Sequence, residues 1–92
     1  MPAQNDLAVV TGAPGWLGTT LVEALAKGAR FRSITTEPRR VRCVVQPGTD
    51  VTPLQRLGDN VEIVFADLRD RRAVADVCRD ARTVFHAAGI IH

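Results

Sequence analysis

The chain predicts an α/β fold, the first half of a doubly wound parallel sheet with the order β-α-β-α-β-α-β. Three observations carry this. A continuous apolar run, Leu7-Ala8-Val9-Val10, enters a turn with glycines at Gly12, Gly15 and Gly18 and leaves it as an amphipathic helix. Further apolar runs of strand length then alternate with helical patterns along the rest of the chain. No repeat, linker or low-complexity stretch interrupts them, so the 92 residues read as one domain, 1–92. Strands separated by helices favour parallel pairing with right-handed crossovers, and four such strands take the spatial order 3-2-1-4.

The first strand, Leu7 to Val10, is apolar throughout rather than alternating, as expected where both faces of a parallel sheet are covered. A helix follows from about Gly15 to Lys27. Leu17, Leu21, Ala24 and Leu25 form its apolar stripe, Glu23 and Lys27 make an i, i+4 pair off it, and Gly28 suits its C-terminal cap. Residues 29–40 read as an extended connection, because Pro38 and Arg39-Arg40 break the short alternation of Phe31 to Thr35. Val41 to Val45 is then the second strand, closed by Pro47-Gly48; a competing register places that strand at 31–36 with Glu37 at its end. Thr52 caps a short helix with Pro53 at its first position, and the helix ends at Gly58. Val61 to Ala66 is strand three. Asp70 caps the next helix, whose buried stripe is Ala73, Val74, Val77, Cys78 and Ala81, and Thr83 to Ala88 is strand four, ended by Gly89.

Composition narrows the function classes. A net charge of +2, scattered arginines and few aromatics argue against nucleic acid as a partner. The two cysteines, Cys43 and Cys78, stand far apart within apolar patterns, with no Cys-x-x-Cys and no Cys/His cluster. They read as buried free thiols in a reducing cytoplasm, with no metal site. Residues 1–6 lack the basic and apolar regions of a signal peptide, and no run approaches the roughly 20 apolar residues that span a bilayer. A soluble cytoplasmic protein with no membrane partner is the expectation.

The glycine turn carries the chemistry. Gly12 permits the tight turn off the strand, Gly15 removes a side chain where backbone would approach a pyrophosphate, and Gly18 lets the helix pack close to the sheet. Backbone N–H groups and the positive helix end then face an anion. A glycine triplet alone is weak, but this one follows a strand, opens a helix and lies in a βαβ unit, the Rossmann-like context that gives it meaning. No Gly-Lys-Ser/Thr closes the turn, so a nucleoside triphosphate loop is excluded.

Four motifs in order carry a resemblance: Thr11-Gly12-x-x-Gly15-x-x-Gly18, Val41-Arg42-x-Val44-Val45-x-Pro47-Gly48, Ala66-Asp67-Leu68-Arg69-Asp70 and Val84-Phe85-His86-x-Ala88. Together they resemble the N-terminal part of an extended short-chain dehydrogenase/reductase of the NAD-dependent epimerase/dehydratase family. The resemblance implies that Gly12, Gly15, Trp16, Leu17 and Gly18 hold a pyrophosphate, with Trp16 packing beside the cradle rather than stacking on the ligand. It implies that Asp67 with Leu68 meets the adenine, and that Ala87, Ala88 and Gly89 line the nicotinamide-side ribose. The plainer roles are a turn or cap for Asp67 and close packing for the small residues. His86, inside a strand expected to be buried, reads as a hydrogen-bonded structural residue rather than a catalyst.

Cofactor choice turns on the end of strand two, where an acid favours NAD and an arginine NADP. Gln46 stands there and is neither; it can hydrogen-bond a ribose. In the competing register Glu37 favours NAD, whereas Arg39, Arg40 or Arg42 would favour NADP if the connection folds back. NAD is the expected cofactor, with NADP open.

The family works through a tyrosine and a lysine four residues later. This chain has no tyrosine, and its single lysine, Lys27, lies on the first helix. No catalytic residue is therefore assigned, and the 92 residues alone are expected to be inactive. The stop after the apolar Gly89-Ile90-Ile91 reads as truncation of a longer enzyme, an oxidoreductase or sugar-nucleotide epimerase/dehydratase with a small-molecule substrate. The alternative is a complete binding module that senses the dinucleotide. In the order 3-2-1-4, strand four is an edge, so self-association through Thr83 to Ala88 is expected.

Overall fold

The computed structural model describes residues 7–12, 15–31 and 34–86. The strands are β1 (Ala8–Thr11), β2 (Ala29–Phe31), β3 (Ile34–Thr36), β4 (Val41–Val45), β5 (Val61–Phe65) and β6 (Thr83–His86); the helices are α1 (Trp16–Lys27), α2 (Thr52–Gln55) and α3 (Arg71–Val77). Strands β5-β4-β1-β6 form one sheet, parallel at every step. Counting only these four, the order is 3-2-1-4: a Rossmann-like α/β fold.

The apolar run of β1 is explained by what covers it. Val10 faces one core with Cys43, Val45, Val22, Ala26 and Leu54, under α1 and α2. Val9 faces the other with Val44, Ala66 and Val77, under α3. Successive strand residues point to opposite faces, so a strand covered on both sides has no polar positions to spare. Cys43 is buried in the first core, as expected, and burial pushes its thiol up to about 12. Cys78 is only half-buried, because it lies past the last turn of α3 at the C-cap.

Helix α1 lies on β1 and β4. Its most deeply buried line is Gly18, Val22 and Ala26, flanked by Leu21 and Leu25, so the stripe is turned from the expected one and Ala24 sits at its margin. Small residues at 18 and 26 allow the helix close to the sheet, which a leucine-centred stripe would not. Glu23 and Lys27 form the expected surface pair at 3.1 Å.

The connection 29–40 is not simply extended. β2 and β3 pair antiparallel, Ala29 with Thr36 and Phe31 with Ile34, as a hairpin apart from the main sheet. Its base is pinned: Arg39 N donates to Leu25 O (2.9 Å), and Asn60 Nδ2 donates to Ala26 O and Arg39 O (2.7 Å each). The excursion therefore closes on itself, and β4, not 31–36, pairs with β1. The competing register is overturned, and Glu37 lies outside both sheets.

The short helix also differs in detail. Thr52 is its first residue rather than its cap, and it ends at Gln55, before Gly58. The capping acceptor is the Asp50 carboxylate, which takes Thr52 N (3.0 Å) and Oγ1 (2.7 Å). Asp70 caps α3 as expected, accepting from Arg72 N and Ala73 N. Among the described residues no helix is long and apolar enough to cross a membrane.

Candidate functional site

Because β5, β4, β1 and β6 are parallel, their C-terminal ends share one edge of the sheet. Gly12 follows β1, Gln46 follows β4, Asp67 stands two residues past β5, and His86 ends β6. Read across that edge, the order is Asp67, Gln46, Gly12, His86. The chain steps from β1 to β4 and β5 on one side and returns to β6 on the other, so β1 and β6 flank a switch point, where open α/β sheets bind ligands. Three strand spacings separate β5 from β6, about 14 Å.

The cradle is built from Thr11 onward. Gly12 has φ 97°, a left-handed conformation that side chains resist. Gly15 N donates to Gly12 O at 3.1 Å, and Thr19 N to Gly15 O at 2.9 Å as α1 begins. A Cβ on Gly15 would stand 3.0 Å from Gly12 O, so a side chain fits there only if the turn opens by a few tenths of an ångström. Gly15 occupies the N-cap without a side chain to cap the helix, and no acid stands in the first turn. The positive end of α1 thus keeps its affinity for an outside anion. These features fit a pyrophosphate. Trp16 and Leu17 supply the first two backbone positions of α1, while their side chains lie outside the described residues. Gly18 is buried against the sheet. Among the described residues the buried Thr19 hydroxyl finds no hydrogen-bond partner.

At the β4–β5 end, Asp67 organises a polar cluster. Its Oδ1 accepts from Arg69 N (2.9 Å) and Nε (3.0 Å), and Oδ2 from Arg69 Nη2 (2.9 Å). The Arg69 side chain, then its backbone N–H, hold the carboxyl down at about 2, and the exposed Gln46 amide adds a smaller effect. Asp67 is thus both a turn residue and an ionised acceptor at the strand end. Leu68 is half-buried and packs on the α3-side core rather than standing open. Arg69 was not singled out from the sequence; the Asp-x-Arg spacing was the available signal.

At the other end, β6 corrects the expectation for His86. The register pairs Val9 with Val84, Val10 with Phe85 and Thr11 with His86. Phe85 packs on the core under α1, while on the opposite face Val84 is 48% exposed and His86 is exposed. His86 is therefore hydrogen-bonded but not buried: its Nδ1 lies 2.6 Å from Thr11 Oγ1. Ala87, Ala88 and Gly89 lie outside the described residues.

The arginines weighed for a 2′-phosphate lie elsewhere. Arg39 and Arg40 precede β4 at the opposite edge, with Arg39 Nη2 3.3 Å from Thr83 Oγ1 and Arg40 O accepting from Ala8 N. Arg42 donates through Nε to Glu62 (2.8 Å) and through Nη1 to Val77 O (2.8 Å), tying β4 to β5 and to the end of α3. A shallow pocket lined by Leu7, Arg40, Val41, Asp59, Asn60 and Glu62 also lies at that far edge, away from the glycine turn.

Comparison with known proteins agrees with the fold. The profile of the NAD dependent epimerase/dehydratase family matches residues 8–92. The uncharacterized protein y4nL of Sinorhizobium fredii is 36% identical over 89 residues, 94% of this chain and 24% of that protein. Sterol demethylase protein B of Methylococcus capsulatus is 36% identical over 84 residues, 90% of this chain and 22% of that protein. Prosolanapyrone synthase of Alternaria solani is 33% identical over 91 residues, 98% of this chain and 3% of that protein. The chain spans a quarter or less of the length of each of these relatives.

Proposed function

The chain belongs to the NAD dependent epimerase/dehydratase family, whose members carry an NAD(P)-binding domain of oxidoreductase type, and from that premise we propose how its residues bind the dinucleotide. Gly12, Gly15, Trp16, Leu17 and Gly18 hold the pyrophosphate through backbone N–H groups. Gln46 meets the adenosine ribose, and Asp67 with Leu68 borders the adenine. Ala87, Ala88 and Gly89 line the second ribose. The observation that carries this reading is the order along one sheet edge: Asp67, Gln46, Gly12, β6. It is the order of adenine, ribose, pyrophosphate and ribose in an extended dinucleotide.

NAD is the cofactor this arrangement favours. Gln46 brings no charge for a 2′-phosphate, Arg39 and Arg40 stand at the far edge, and Arg42 is held by Glu62 and Val77. Arg69 is near but already forked onto Asp67. When bound, the cofactor supplies hydride transfer on a small-molecule substrate, as in an oxidoreductase or sugar-nucleotide epimerase/dehydratase. The tyrosine and lysine of the reaction belong to sequence beyond His92, and the cytoplasm suits the two free thiols. The second reading is a binding module that senses the dinucleotide; a Tyr-x-x-x-Lys encoded downstream supports the enzyme, and a reading frame without one supports the sensor.

Calorimetric titration with NAD, NADH, NADP and NADPH tests the assignment. We expect saturable binding with NAD or NADH tighter than the phosphorylated forms. A folded sample that binds none of them refutes it. The β6 edge, which ends the sheet and carries half-exposed Val84, is the proposed surface for self-association. A strictly monomeric species in sedimentation at high concentration refutes that part.

A further inference from the structure

We infer that Asp67 and Arg69 are positioning residues for cofactor choice: Asp67, forked by Arg69, turns the Gln46 amide so that its carbonyl faces the 2′-position of the adenosine ribose. The inference rests on the dinucleotide reading above, which sets Gln46 at that ribose. Gln46 and Asp67 stand at the ends of neighbouring parallel strands, β4 and β5, and each opens a tight turn. Thr49 N donates to Gln46 O (3.2 Å), with Pro47 and left-handed Gly48 (φ 90°) as the central pair. Asp70 N donates to Asp67 O (2.9 Å). Ala66 N donates to Val45 O (3.0 Å), which carries the ladder one step past β5 and holds the two turns side by side.

The two side chains meet: the Asp67 carboxylate accepts from the Gln46 amide as well as from Arg69. An ionised carboxylate accepts hydrogen bonds and donates none, so the amide end turned towards it is the NH2. The carbonyl is the end left for a ligand. It accepts from a ribose 2′-hydroxyl, but it offers nothing to a 2′-phosphate, whose oxygens are acceptors at neutral pH. A glutamine free to rotate would present its NH2 to a phosphate instead. The fixed orientation, and not the residue type, therefore selects NAD. Arg69 fits the same role. Its side chain is 86% exposed, so its pair with Asp67 adds little to stability. The two-pronged fork does fix the plane of the carboxylate, and it occupies a guanidinium that would otherwise be drawn to a phosphate.

The test reads the ratio of Kd for NADPH to Kd for NADH by calorimetric titration of the full chain. Both ligands carry the same adenine, so a lost adenine contact or a general loosening moves both constants and leaves the ratio. Gln46 is exposed, so Gln46→Ala should fold, and it should lower the ratio about three- to tenfold, the worth of one hydrogen bond. Asp67→Asn keeps the turn and should lower the ratio as well, because asparagine offers the amide either a donor or an acceptor. Part of that fall is the lost charge, which acts with or without Gln46, and the double variant separates the two. We expect the effect of Asp67→Asn on the ratio to be at least about threefold larger in the wild-type background than in the Gln46→Ala background. An unchanged ratio in Gln46→Ala, or equal effects of Asp67→Asn in the two backgrounds, overturns the proposal. Should Asp67→Asn fail to fold, Asp67→Ser, whose hydroxyl also supports the turn, takes its place in the same comparison with the same two outcomes. A wild-type chain that binds NADH and NADPH equally overturns the proposal and leaves the dinucleotide reading standing. A wild-type chain that binds neither overturns that reading, and the proposal with it.

Discussion

Gly15→Ala separates the cradle's binding role from its place in the fold. Gly15 has φ −58° and ψ 162°, which alanine adopts without strain, so the penalty is purely steric. The new Cβ would lie 3.0 Å from Gly12 O, the acceptor of the Gly15 N–H bond at 3.1 Å. The turn must open by a few tenths of an ångström and weaken that bond, at a cost of about 0.5–1.5 kcal/mol. Reduced freedom of the unfolded chain returns about 0.4–1 kcal/mol. The net effect lies between about 0.5 kcal/mol stabilising and about 1 kcal/mol destabilising, a melting shift of no more than about 8 °C. In the proposed reading binding should suffer far more, because a turn forced open at Gly12 O displaces the backbone N–H groups that would face the pyrophosphate. Losing one charge-assisted hydrogen bond is worth about 1.5–3 kcal/mol, or about 10- to 150-fold in Kd. Calorimetric titration with NADH, beside thermal unfolding of the same sample, reads both quantities. A Kd within about threefold of wild type, or an affinity loss accounted for by unfolded protein, would refute the steric argument.

Three further outcomes follow from the contacts. Asp67 is held at about 2, below its ordinary 3.8, so its contribution to stability is complete above about pH 4 and lost as pH falls towards 2; Arg69→Gln should raise its NMR titration midpoint part of the way towards 3.8, the backbone N–H bond remaining, and an unmoved midpoint would contradict the assigned cause. Arg42→Met removes the link to Glu62 and to the end of α3 and should cost about 1.5–3 kcal/mol in urea unfolding, while Glu62→Gln, at the 57% exposed end, should cost under about 1 kcal/mol; equal costs would argue against the bond to Val77 O. Half-buried Cys78 should react with a thiol reagent at pH 8 before Cys43, whose burial holds it protonated up to about pH 12, so Cys43 labels only on unfolding; simultaneous labelling in the folded chain would count against the core placement.

Local physics made much of the molecule legible in the sequence. The unbroken apolar run of β1 declared a strand covered on both faces, and the spacing of Gly12, Gly15 and Gly18 declared a turn that admits backbone where side chains would block. Asp70 announced its helix by its own capping chemistry. These signals survive because each depends on residues within one turn or one strand. The α1 stripe was legible only approximately, since which of two adjacent rows is deepest depends on how closely the helix approaches the sheet.

What the tertiary structure decided came from residues distant in the chain. Asn60 closes the base of the β2–β3 hairpin by reaching the carbonyls of Ala26 and Arg39, and no pattern within 29–40 contains that information. His86 is exposed although its strand is written like a buried one, because coverage of a strand face is set by whatever packs on it from elsewhere in the fold. The bond between Thr11 and His86, 75 residues apart, exists because parallel pairing of β1 and β6 sets them side by side. The sequence by itself determined where the glycine turn begins and which strands flank it; only the packing of the sheet decided which side chains meet along its edge, because register and coverage belong to pairs of elements and not to either one alone.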